Sequence, residues 1–159
     1  MSAPGSRTYI TPIENVSIGT AVQDIFSLLA GSANGVRIHW IHLESTNTSA
    51  AALRMRLKRG TATVSQGSGG TNVTPAPVDY NDTLAAAAVS HINDTSQATT
   101  TGAFTTLAGF QWDTVLPFDF LPAPEDRPAC KASQALILDL PATITAATVS
   151  GFIVWDESP

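Results

Sequence analysis

Apolar and polar positions alternate most cleanly from Leu53 to Arg59, where Leu53, Met55 and Leu57 interleave with Arg54, Arg56 and Lys58. A period of two predicts a strand with one buried and one wet face. Val36 to Leu43 alternates less strictly. Val36, Ile38 and Trp40 share one face, while Ile41 and Leu43 fall on the other with Arg37 and His39. Apolar residues on both faces predict a strand covered on both sides over part of its length. The polar gap at 46–52 suits a loose hairpin, so the two strands are expected to pair at the centre of a β-domain.

The remaining chain is read against this pair. Residues 1–8, rich in Pro, Gly and Ser, predict a flexible or docking arm, with one domain over 9–159. Tyr9–Thr11 begins a first strand that Pro12 assigns to an edge, and Glu14–Ile18 is a second short candidate. Gln23–Ala30 fits both strand and helix periods; its neighbours favour strand. Gly31–Gly35 is a turn. Residues 60–102 form a long excursion with a Gly-Ser-Gly-Gly tip and a Pro-rich extended stretch. Within it 84–92 reads as strand or, by its alanines, as helix. A structureless loop of that length is unusual in a compact domain, so it is expected to carry short elements or to contact a neighbour. Strands resume over 105–115, at the proline-bracketed 117–122, at 135–140 and at 147–157. Roughly eight strands with turns between them and no convincing long helix predict an antiparallel β-sandwich of jelly-roll type. An immunoglobulin-like sandwich is the alternative, and the chain lacks its Cys–Trp–Cys spacing.

Composition sharpens this. The chain is 43% hydrophobic but only 13% charged, which favours a surface partly covered by neighbours. The net charge of −5 argues against nucleic acid as a partner, since phosphate binding needs a basic footprint. Cys130 is the single cysteine, so no internal disulfide is expected, and its polar surroundings predict a dispensable surface thiol. No apolar run is long enough for a membrane span, and the first residues lack the apolar core of a signal peptide. A chain made as a soluble cytosolic protein is the expectation.

Candidate chemistry is sparse. His39 and His42, three apart on a strand, are expected on opposite faces and poorly placed to share a metal. The acidic residues form no recognisable catalytic pair, and Asp79, Asn81 and Asp82 read as turn residues rather than cation ligands. No nucleophile elbow, phosphate loop or dinucleotide fingerprint occurs. No enzyme activity, cofactor or metal is expected. Arg54, Arg56 and Lys58 make a linear basic stripe, either a solvated strand face or an interface to an acidic partner or symmetry mate. Arg7 on the arm joins them as a possible interface residue. Trp40, Trp112 and Trp155 lie in apolar alternating stretches and read as core, with a sugar-binding platform as the other reading.

One resemblance ties these features together. Leu53-x-Met55-x-Leu57-Lys58-Arg59-Gly60-Thr61, the Gly-Gly-Thr-x-Val-Thr-Pro-x-Pro-Val-Asp segment at 69–79, and Val149 to Glu157 ending in Trp-Asp-Glu follow in order. Together they resemble the small β-sandwich structural proteins of tailed bacteriophage particles, of the decoration, cement or head-fibre kind, over most of 36–157. The resemblance implies a non-enzymatic virion protein that binds the capsid or a neighbouring virion protein, as a homo-oligomer with a trimer favoured. It transfers no site residues. The alternative function is a carbohydrate-binding jelly-roll module, an adhesin or receptor-binding domain.

Overall fold

The computed structural model describes residues 6–19, 21–141 and 146–158, and the fold is all-β and antiparallel. The chain begins with β1 (Arg7–Ile18), β2 (Gln23–Leu29), β3 (Gly35–Ser45) and β4 (Ala52–Gly60). Short strands follow: β5 (Val64–Ser65), β6 (Thr71–Val73), β7 (Ala76–Pro77), β8 (Val89–Asp94) and β9 (Thr99–Thr100). Then come β10 (Phe104–Asp113), β11 (Phe118–Phe120), a 3-10 turn at Pro124–Asp126, β12 (Ala129–Cys130), β13 (Ala135–Leu140) and β14 (Ala147–Ser158). One sheet runs β11-β3-β14-β1-β7, with β12 also on β3; the other runs β10-β4-β13-β2-β8-β6. Apart from the excursion strands, the chain changes sheet at every step except β4 to β10 and β11 to β12.

The sheets enclose one core. Ile13 and Val16 of β1, Ile41 and Leu43 of β3, Leu53, Met55 and Leu57 of β4, and Leu136 and Leu138 of β13 belong to it. Each such side chain contributes about 1.5–3 kcal/mol by leaving water. Trp155 is fully buried, its ring 5.0 Å from that of Tyr9 and its Nε1 donating to Thr11 Oγ1 at 3.0 Å. Burial of a tryptophan is favourable once its N–H is paired.

The expected pairing of β3 with β4 does not occur. β3 is flanked by β14, β11 and β12, and β4 by β10 and β13, so both lateral edges of each are occupied. The polar gap at 46–51 is a crossing between sheets, and the two strands meet only through the core. The mixed faces of β3 also have another cause. Val154 pairs with Trp40 but Trp155 with Ile38, so His39 is a bulged extra residue. Parity reverses there. Val36 and Ile38 point inward before the bulge, Ile41 and Leu43 after it, and Trp40 is left outside.

Bulging also merges the two candidates at the start of the chain. Register slips between Ile13 and Val16, with Asn15 at φ 52°, a conformation Asn tolerates. Residues 7 and 8 are strand rather than arm, opposite Glu157 and Asp156; residues 1–5 lie outside the described residues. Gly151 keeps β14 close to β3. Its φ is 155°, and a Cβ there would run into the His42 carbonyl oxygen.

The excursion between β4 and β10 closes on the sandwich. β8 extends the second sheet beside β2, β6 follows β8, and β7 caps β1 of the first. The β5–β9 ribbon and the segments beside it form a strap over the outer face of the second sheet. There Val64 and Ala98 pack with Ala135 and Ile137 in a second, smaller core. Residues 84–88 form no helix, and strand begins only at Val89. Cys130 likewise departs from expectation: its segment pairs with β3, leaving the residue 6% exposed, and burial pushes the thiol pKa up to about 12.

Candidate interaction surfaces

The outward faces of the two sheets differ in chemistry. On the second sheet, cross-strand register sets Arg56, Asp139, Asp24 and Asp94 in one row over four neighbouring strands. Three carboxylates side by side repel unless countered. Arg56 counters from the end of the row, donating through Nε to Asp139 Oδ1 at 3.1 Å and through Nη2 to Oδ2 at 2.7 Å. Lys58 Nζ sits 3.0 Å from Asp139 Oδ2 and 3.8 Å from Asp24 Oδ1. The strap supplies the rest: Ala98 N–H donates to Asp24 at 2.7 Å, and Gln97 Nε2 reaches both Asp24 and Asp139 at 3.3 Å. Burial nevertheless raises the Asp24 pKa to about 6, against the backbone bond and the nearby ammonium. The Asp94 Oδ2 atom is buried with no partner. The cationic side chains occupy the space between carboxylates, and among the described residues no group of His, Cys, Asp and Glu is placed to hold a metal.

This disposes of the basic stripe as a uniform surface. Arg54 is exposed, Arg56 is held by Asp139, and Lys58 is 6% exposed with its ammonium 4.6 Å from the Phe104 ring centroid. Alternation placed the three on one face correctly, but the strap covers its far end. Only Arg54 remains free for an outside partner. Arg7 lies on the other sheet, 3.4 Å from Asp82, and is not brought to the stripe.

Among the described residues, no strap lies over the outer face of the first sheet. Trp40, Val154 and Ile10 form one cross-strand row, and Asp119, His42, Phe152 and Pro12 the next. The apolar members are all partly exposed. Asp119 Oδ1 accepts from Trp40 Nε1 at 2.8 Å and lies 2.9 Å from His42 Nδ1, while His42 Nε2 is 3.2 Å from Glu44. Phe152 stacks on His42 at 5.2 Å and meets Trp40 edge-on at 4.7 Å. The bonds to Asp119 and Glu44 raise the His42 pKa above its usual value, and those from His42 and Trp40 lower that of Asp119. Trp40 was expected in the core; the bulge at His39 puts it here, while Trp112 and Trp155 are buried. His39 Nε2 lies 2.9 Å from Asp156 Oδ2, so the two histidines face different carboxylates.

Loops add isolated apolar exposure. Tyr80 is 97% exposed between Val78 and Leu84, and Leu116 and Leu121 flank β11. The terminal Trp-Asp-Glu is structural: Trp155 is core, Asp156 accepts from Ser6 Oγ, and Glu157 accepts from the Ala88 N–H. No helix among the described residues is long and apolar enough to cross a membrane. No family model, curated protein or solved structure matches the chain.

Proposed function

We propose that the chain is a non-enzymatic structural protein of a virion, a capsid decoration, cement or minor head protein. It binds the capsid or a neighbouring virion protein and assembles as a homo-oligomer, with a trimer favoured by the resemblance. The observation that carries this reading is the uncovered outer face of the first sheet, with Ile10, Pro12, Trp40, Phe152 and Val154 contiguous on β1, β3 and β14. A sheet face with contiguous, partly exposed aromatic and aliphatic residues is suited to contact with another protein surface. Two further features support it. The strand order β1-β14-β3-β11 against β2-β13-β4-β10 fits a jelly-roll winding, the fold of many capsid domains. Most of the excursion is engaged in the fold itself, so the exposed apolar surface lies on this face, at Tyr80 and at Leu116 and Leu121 around β11.

A carbohydrate-binding role has one observation of its own: Trp40 beside the Asp119 and Glu44 carboxylates, an aromatic and acceptor set that suits a sugar. Light scattering together with a glycan array separates the two. The virion reading expects a multiple of the 16.6 kDa chain and no glycan retained. A monomer at all concentrations that retains a glycan overturns it.

A further inference from the structure

The sandwich is open along the side where the second sheet ends at β10 and the first at three-residue β11. A cleft of about 600 Å³ lies there, within the about 300–1,000 Å³ typical of ligand sites. Its walls are apolar, from Leu107 and Ala108 of β10 and from Phe120 and Pro122. Two guanidinium groups also line it, Arg59 from β4 and Arg127 from the segment before β12. Neither is within ion-pair distance of a carboxylate among the described residues, although Asp126 also borders the cleft. Arg59 Nη1 donates to the Ala129 carbonyl at 3.2 Å. Arg127 Nε is shut off from water and has no acceptor. A buried donor of that kind costs free energy until an acceptor reaches it. Beside the cleft runs the edge of β10, ten residues long and, among the described residues, paired on one side only, by β4.

We propose that this cleft binds an extended peptide segment of a partner protein that carries an apolar side chain followed by a carboxylate. The peptide adds as a strand to the free edge of β10, so that main-chain hydrogen bonds supply affinity. Its apolar side chain enters between Leu107 and Phe120. Its carboxylate takes the Arg59 and Arg127 guanidiniums in a charge-assisted pairing, the Arg127 side chain turning its idle Nε toward the cleft. In a chain of net charge −5, two unpaired guanidiniums beside an apolar wall select an acid-bearing occupant over a neutral one. This site is separate from the outer face of the first sheet and does not depend on what that face binds.

A panel of fluorescein-labelled decapeptides with Phe, Leu or Val followed by Glu or Asp, and their Gln or Asn counterparts, tests the proposal by fluorescence anisotropy. 3-Phenylpropionate serves as a competitor. The acidic members are expected to bind, with the amide counterparts and the Arg59→Ser/Arg127→Ser variant at least about tenfold weaker. Amide shifts of the bound peptide complex should concentrate on β10. Circular dichroism checks that the variant folds; single Arg59→Ser and Arg127→Ser variants replace it if it does not. No acidic member binding below about 1 mM, or equal binding of acid and amide, overturns the proposal. Binding of 3-phenylpropionate as tight as that of the best peptide overturns the strand-addition part and with it the choice of a peptide.

Discussion

The two outer faces of this sandwich show two ways for a sheet to meet its surroundings. The second sheet buries a charged row under its own chain. The first leaves an aromatic row open. The covered face needs internal partners for every charge, because an unpaired ion out of water is costly. That need explains why Arg56, Lys58, Gln97 and the Ala98 amide converge on Asp24 and Asp139. The open face has no such need. Its single network, Trp40–Asp119–His42–Glu44, is half in solvent, where ion pairs contribute little. The covered face of the second sheet is committed to the fold, and the open face of the first is free to bind.

The largest test of this contrast removes one acid from each face. Asp139→Ala strands Lys58 beneath the strap, also releases the half-exposed Arg56 guanidinium, and should cost about 3–5 kcal/mol in urea unfolding. Asp119→Ala on the open face should cost less than about 1 kcal/mol. Equal losses would show that the faces are not different in kind.

The next effect is a pH dependence that arises on the covered face. The folded state holds the Asp24 proton more tightly than the unfolded chain, so the penalty for ionising it is absent at low pH. That penalty appears as pH rises from the ordinary 3.8 through about 6, and the gap is worth on the order of 3 kcal/mol. Asp24→Asn should remove this part of the fall in stability between pH 4 and 7. Unchanged pH dependence of unfolding would place Asp24 in a wetter site.

A smaller loss is expected at Cys130, which packs into the core at β12. Cys130→Ser buries a hydroxyl in place of the thiol and should lower stability by about 1–2 kcal/mol in thermal unfolding. The smallest effect is on the open face. A proton-resonance titration should find the His42 pKa above 6.5, because Asp119 favours the protonated ring, and Asp119→Asn should bring it down. Stability from this contact is present at low pH and lost as pH rises through the raised value. The fold should hardly register the change.

Much of this architecture was legible in the chain. The alternation at 53–59, 136–140 and 149–156 marked inward faces correctly, because a flat strand with one buried face must repeat every two residues. Bulges were not legible. At His39 and at Glu14–Asn15 one extra residue shifts parity, and the mixed faces of β3 read as double coverage instead. The strap was hidden by its composition: Thr, Ser, Ala and Gly have no period to read, yet they pair and cover. Asp139 carried a signal that went unused. A lone acid inside Ala-Leu-Ile-Leu-Asp-Leu must find a cation once the strand is buried, and the row of bases at 54–58 was the available source. The cross-strand meeting of Trp40, Asp119 and Phe152 depends on register between distant strands, which no local pattern encodes.

The most direct test of the account is co-sedimentation with virions produced by the cells that make the protein, comparing the parent with Trp40→Ser/Phe152→Ser. Both side chains lie on the open face, outside the core, so the variant should fold like the parent by circular dichroism. The account predicts that the parent pellets with the particles and the variant stays in the supernatant. A parent that remains in the supernatant, or a variant that pellets as fully as the parent, contradicts it.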